Sequence, residues 1–217
     1  EIPAGTNEGM FIKEQCNRAQ ASISIEKGPL MKLVLFHAKG TSKLLVVSHH
    51  LVVDGVSWRI LLEDIESLYR QLFHSAEIQL PAKSDSFKRF AERLQEYAGS
   101  HQMAREASYW NAIEQKENGR LFRAVAQETN FVGDTSLIDI NFDEEQTTLL
   151  LKGANHAYGT EINPLLLASV ALALYRTCDA SEMLIWMEAH GREEILDDVD
   201  ISRTVGWFTS VYPMCIA

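Results

Sequence analysis

Alternation and short apolar runs dominate the first fifty residues. Ala21 to Glu26 (ASISIE) alternates apolar with polar side chains, Leu30 to Ala38 (LMKLVLFHA) and Lys43 to Ser48 (KLLVVS) are apolar runs, and Gly28-Pro29 punctuates them. This pattern predicts an antiparallel meander running into the Lys43 strand. From Val56 to Ser75 the period becomes helical: Trp58, Leu61, Leu62, Ile65, Leu68, Tyr69 and Leu72 fall on one stripe, with Arg59, Glu63, Asp64 and Glu66 mostly toward solvent. That helix is expected to pack on the sheet. Two further helices are predicted over Phe87 to Tyr97, opened by the capping residues Asp85-Ser86, and over Gln102 to Ile113; Asn118-Gly119 closes the helical section.

In the second half, Ser136 to Phe142 (SLIDINF) alternates like a strand and Asp143 opens a helix running to about His156. Ile162 to Thr177 is a helix hydrophobic nearly all round, as expected of an element buried between a sheet and something else. Met183 to Glu188 (MLIWME) is a continuous apolar strand ending in a carboxylate, and Thr204 to Ile216 reads as extended. The order of elements predicts an α/β protein of the sandwich kind with a change of unit near Ser136, dividing the chain into 1–135 and 136–217.

Composition narrows the class. With 217 residues, 46% of them hydrophobic and 23% charged, the chain has the make-up of a globular protein with a sizeable core. A net charge of −10 argues against nucleic acid, since phosphate binding needs clustered Lys and Arg. No apolar run approaches the 18 or so residues of a membrane span and no secretory leader is visible, so no membrane partner and a cytoplasmic setting are expected. Cys16, Cys178 and Cys215 are too scattered for a disulfide framework or a metal knuckle and read as buried free thiols. Glu1 and Ala217, the second inside an apolar run, read as positions within a longer polypeptide.

Chemistry concentrates directly after two apolar strands. HHLVVDGVSW places His50 and Asp54 four positions apart at a strand end; MEAHGREE carries Glu188, His190 and Arg192. Neighbouring side chains of a strand face opposite ways, so one of His49 and His50 is expected to be structural. Histidine titrates near neutrality and suits proton transfer, whereas a carboxylate needs burial or a nearby charge to do so. The plain alternatives stay open: His50 as a hydrogen-bonded core histidine or one of a metal-ligand pair with no third ligand nearby, Asp54 as a helix cap or a loop anchor held by an arginine, Glu188 as a surface charge. No metal site is expected. Gly55 is read as permitting a sharp turn, and Trp58 as core.

The motifs reach further than the patterning. HHLVVDGVSWRILLEDI resembles the HHxxxDG signature of the condensation-domain superfamily of nonribosomal peptide synthetases, in the form its epimerization branch carries. MEAHGREE looks like the EGHGRE motif of that branch, with Ala189 where the motif has Gly, and SRTVGWFTSVYP is similar to RTVGWFTxxYP. Pro164 stands where the family often has Asp. The resemblance covers essentially the whole chain.

It implies a chloramphenicol-acetyltransferase-like fold of two αβ lobes flanking a channel, of which this chain would hold the N-terminal lobe and the start of the C-terminal one. It also implies inversion, L to D, at Cα of an aminoacyl or peptidyl thioester carried on the phosphopantetheine arm of an upstream peptidyl carrier domain, among other synthetase modules. No cofactor would bind this chain directly. Glu188 and His50 are then the proton-transfer pair; His49, Asp54 and Gly55 support the loop; Arg192 and Arg203 form ion pairs that fix their motifs; and His190, Trp207 and Phe208 are candidates for the channel wall. The alternatives are a condensation domain, in which the same histidine assists peptide-bond formation, and a docking fragment without activity.

Overall fold

The computed structural model describes residues 2–3, 5–38, 40–115, 131, 133, 135–178 and 182–216. The expected Asn118-Gly119 terminator lies outside them. Two compact units divide the chain: the first joins Glu1–Ala104 to Glu188–Ser210, the second Arg105–Met187 to Val211–Ala217.

The first unit opens with a helix that the apolar pattern misses. Helix α1 (Glu8–Ala21) starts where the Asn7 side chain accepts the Met10 N–H at 3.1 Å, and it buries Ala19 alone. Such a polar helix leaves almost no stripe to read. It packs on the antiparallel hairpin of β1 (Met31–Ala38) and β2 (Thr41–Ser48), registered Met31 to Ser48 and Ala38 to Thr41. Ala21 to Glu26, expected as a strand, is the end of α1 and a turn instead. There Ser22 Oγ donates to the Ala19 carbonyl at 2.7 Å, the Ser24 hydroxyl accepts the Lys27 N–H at 3.2 Å, and backbone groups a strand would pair are consumed locally.

Helices α2 (Gly55–Phe73) and α3 (Phe87–Ala98) follow, each capped by the residue before it: Asp54 accepts the Ser57 N–H at 2.7 Å and Ser86 the Arg89 N–H at 3.1 Å. The buried face of α2 overlaps the expected stripe in part: Ser57 and Ile60 are buried and Trp58, Leu61, Ile65 and Leu68 half-buried, while Leu62, Tyr69 and Leu72 are exposed. The core of this unit collects Phe36, Val53, Ile60, Phe90 and Phe208, with Phe87 and Phe90 each 5.0 Å from the Phe208 ring.

Helix α4 (His101–Glu114) runs into the second unit. There Asp143 and Gln146 form a reciprocal capping box on the short helix α5 (Glu144–Thr148), which continues through a π-helical turn, Leu149–Ala154, into α6 (Asn155–Tyr158). Helix α7 (Ile162–Cys178) has no buried residue, contrary to the expectation for so apolar a segment: Leu166, Val170, Leu172 and Tyr175 are exposed. Ser136 to Phe142 forms no strand, since it has no pairing partner among the described residues; Leu137 and Ile138 are open to solvent. Strands β3 (Met183–Ala189) and β4 (Ser210–Ile216) pair in a second two-stranded sheet. Among the described residues no disulfide joins Cys16, Cys178 and Cys215, and each is half-buried rather than buried. Among the described residues no single helix is long and apolar enough to cross a membrane, although α5 to α6 and α7, bent by 92°, pass that test as a pair.

Candidate active site

Strand β2 ends at Ser48, and the tandem histidines occupy the next turn rather than the strand itself. His49 is tied down: its N–H donates to the Leu30 carbonyl at 2.8 Å and its Nδ1 accepts the Leu51 N–H at 3.1 Å. His50 begins a 3-10 turn, His50–Val52, with its side chain exposed. That exposure removes the core-histidine alternative. Among the described residues no cluster of His, Cys, Asp or Glu could hold a metal.

Four residues on, Asp54 is 3% exposed and does two jobs at once. It caps α2, and it receives the Arg192 guanidinium, one terminal nitrogen lying 3.1 Å from each carboxylate oxygen. The Phe208 N–H donates to Oδ2 at 3.2 Å. Burial by itself would push the Asp54 carboxyl up; the hydrogen bonds from Ser57 and the Phe208 N–H, with the Arg192 charge, outweigh it and hold the carboxyl below its ordinary value. The second terminal nitrogen of Arg192 donates to the carbonyls of Ile201 (3.1 Å) and Thr204 (2.8 Å), and the guanidinium lies over the Phe208 ring, 3.9 Å from its centroid. Its Nε is a buried donor without a partner among the described residues.

Ser57, fully buried, completes the joint. Its hydroxyl donates to the Gly206 carbonyl at 2.9 Å and accepts the Gly206 N–H at 3.0 Å and Arg192 at 3.1 Å. Segments from HHLVVDGVSW, MEAHGREE and SRTVGWFTSVYP thus meet on one ion pair. Nothing in the sequence singled out Ser57, though a small hydroxyl flanked by Val56 and Trp58 is the available signal. Gly55 is the first residue of α2, lies outside the left-handed region and has room for a Cβ, so no sharp glycine turn is needed there. The left-handed glycine is Gly191 (φ 67°), where a Cβ would fall 1.6 Å from the Phe208 carbonyl oxygen.

Glu188, next to the end of β3, is exposed, as is His190, whose Nδ1 accepts the Arg192 N–H at 2.9 Å. No hydrogen bond, ion pair or ring contact among the described residues joins Glu188 to His50. The ring beside His50 is Trp207, with centroids 5.2 Å apart and planes tilted by 59°. Phe208 is buried under Arg192 and forms part of the core rather than a wall. Arg203 pairs with Asp64, which the helical stripe had left toward solvent, and reaches Glu63 at 3.6 Å. Trp58 is half-buried.

The description "Condensation domain" fits a family model matched over residues 2–217 of this chain. The chain belongs to the condensation-domain family. This condensation-family chain is 42% identical, over 217 residues, to gramicidin S synthase 1 of Brevibacillus brevis, covering 100% of the chain and 20% of that relative. Its fold superposes on the crystal structure of the epimerization domain from the third module of tyrocidine synthetase B with a TM-score of 0.86 at 42% identity, covering 97% of the chain and 47% of that domain. The first condensation domain of the calcium-dependent antibiotic synthetase shares the fold (TM-score 0.70, 23% identity, 99% of the chain and 47% of that domain). The mixed helix-and-strand class read from the sequence is therefore the observed one, and the chain spans about half of a solved domain of this type.

The acidic residues that follow the second motif of this condensation-family chain are exposed but bonded to the segment that opens α3. The Asp85 N–H donates to the Asp200 carbonyl (2.8 Å) and the Asp200 N–H returns to Asp85 Oδ2 (2.9 Å), while Arg93 grips Asp198 at 3.0 Å. The Thr204 hydroxyl meets Ser84 Oγ at 2.9 Å. These bonds stitch the loop to the start of α3. A cleft of about 740 Å³ beside it is bordered by Val56, Phe90, His190, Arg192 and Asp200; neither His50 nor Glu188 lines it.

Proposed function

We propose that this chain is part of an epimerization domain that inverts the α-carbon of an aminoacyl or peptidyl thioester delivered on the phosphopantetheine arm of a carrier domain, within a longer nonribosomal peptide synthetase. The observation that carries the reading is the likeness to the tyrocidine synthetase B epimerization domain, at 42% identity and a TM-score of 0.86 over 97% of the chain.

Thioester sulfur donates little into its carbonyl, so the Cα–H is acidic enough for a positioned base to remove. Glu188 accepts that proton, leaving an enolate; a proton returned to the opposite face of Cα gives the inverted centre, with His50 serving that face or stabilising the enolate. Both side chains are exposed and therefore open to a substrate. The Asp54–Arg192 pair supports the reading by fixing the turn that carries His50 to the loop that follows Glu188. The chain's own part needs no bound cofactor: the phosphopantetheine arm arrives as part of the substrate.

The test uses the full-length polypeptide with its carrier domain loaded with an α-deuterated L-aminoacyl group. Wild type should wash out deuterium and form the D-isomer, and His50→Ala and Glu188→Gln should each lose roughly 10²- to 10⁴-fold in that rate. Full exchange and epimerization in both variants would refute the assignment. Peptide-bond formation without any exchange in wild type would move the function to condensation, the activity named for the 23%-identical structural neighbour.

A further inference from the structure

We propose that Trp207 is a positioning residue whose indole sets the orientation of the His50 imidazole, a role that rests on the reading of His50 as a proton-transfer group. Among the described residues the His50 side chain makes no hydrogen bond and no ion pair; what bounds it is the Trp207 ring, 5.2 Å away between centroids and tilted by 59°. An imidazole that moves a proton to or from carbon must present one nitrogen along a narrow line, and a displacement of an ångström there costs about 10²-fold. Its hydrogen-bonded neighbour His49 fixes the backbone of the turn but leaves the His50 ring free about its own side-chain bonds.

The indole can do this because its own position is fixed from both sides. Gly206 is held by two hydrogen bonds to Ser57 Oγ and Phe208 by one to Asp54 Oδ2, so the residues flanking Trp207 are both fastened to the first turn of α2, a few residues beyond His50. Gly206 lies at a close approach: a Cβ there would fall 2.5 Å from Phe87 Cδ2, so the Phe87 ring would have to move. The same buried joint that holds Asp54 to Arg192 thus aims the Trp207 ring at His50. Trp207 is 43% exposed, too open to act as a core residue, so its place beside the imidazole is not explained by packing of the unit.

The test measures epimerization by the full-length polypeptide on its aminoacyl-loaded carrier domain, with thermal unfolding of each variant alongside. Trp207→Ala and Trp207→Leu should lower kcat about 10- to 10²-fold with KM little changed, and Trp207→Phe, which keeps a ring, should recover most of that loss. In a His50→Ala background the same Trp207→Ala change should add no further loss, because there is no imidazole left to orient. Unchanged kcat in Trp207→Ala and Trp207→Leu would overturn the role, as would an equal loss with and without His50. A wild type that shows no deuterium washout would instead refute the epimerase reading beneath it, so the two failures are distinct.

Discussion

Arg192 sets a single guanidinium nitrogen 3.1 Å from both carboxylate oxygens of Asp54, across 138 residues of sequence. The side chains are 8% and 3% exposed, so neither charge has water to fall back on. Removing one partner leaves the other buried and uncompensated, which typically costs about 3–5 kcal/mol. Arg192→Met should therefore destabilise the fold by about that much. Asp54→Ala adds the loss of a helix cap, and the double variant should lose less than the sum of the two. Urea unfolding of the three variants checks this.

The same carboxylate sets an acid limit. Its folded pKa lies below the ordinary 3.8, so between the two values the unfolded chain binds the proton that the folded chain refuses. The stabilisation is complete above the unfolded value and is lost as pH falls through the folded one. Asp54→Asn should thus show a shallower decline in stability than wild type below about pH 4. Asp198, lowered by its Arg93 hydrogen bond, and Asp200, lowered by its Ser202 one, supply a residual slope. Denaturant titrations down the acid limb distinguish the curves.

Gly191 is the tightest backbone approach at the site. Alanine there meets two obstacles, a left-handed φ of 67° and a Phe208 carbonyl oxygen 1.6 Å from the new Cβ. Gly191→Ala should cost roughly 3 kcal/mol or more and pull the Phe208 N–H from Asp54. Loss of near-ultraviolet circular dichroism, with increased proteolysis of the 191–208 segment, is the expected signature.

Ala189, the departure from the EGHGRE pattern, closes β3 without a left-handed φ. The methyl group is therefore compatible with the backbone beside Glu188. If the proposed function holds, Ala189→Gly should leave the epimerization rate near that of wild type, and it should lower stability by about 0.5–1 kcal/mol, the usual cost of glycine in a strand. Thermal unfolding and carrier-loaded turnover measure the two quantities.

Strands and helices with a strong period were readable because burial on one face writes itself into the sequence: β1, β2, α2, α3 and β3 all lie where the apolar runs place them. Helix α1 was hidden because it buries only Ala19 fully and its few apolar side chains, Met10, Phe11 and Ile12, fall together in its first half among polar ones. SLIDINF misled for the opposite reason, carrying strand alternation without a neighbouring strand to use it. At the site, His50, Asp54, Glu188 and Arg192 were each visible as chemistry, and an arginine anchor for Asp54 was among the alternatives. Which arginine, and the serine between them, could not be read, because pairing over 138 residues leaves no local period. Ser57 sits at the centre of that joint with zero exposure, at the margin of the apolar stripe of α2, where a polar residue reads as ordinary helix surface.

The first unit is assembled from two stretches of chain, Glu1–Ala104 and Glu188–Ser210. A ribosome adds roughly 5–20 residues per second, so Asp54 leaves the tunnel on the order of ten seconds before Arg192 is made. Through that interval the Asp54 carboxylate lacks its arginine and the Ser57 hydroxyl its Gly206 partner, while the turn bearing His50 is held only by the His49 bonds to Leu30 and Leu51. Synthesis of the intervening unit thus sets a clock on maturation: the joint can close only after the stretch between Asp54 and Arg192 has been translated, a pause there delays it by as long as the pause lasts, and a chain that stops there lacks the arginine that closes it.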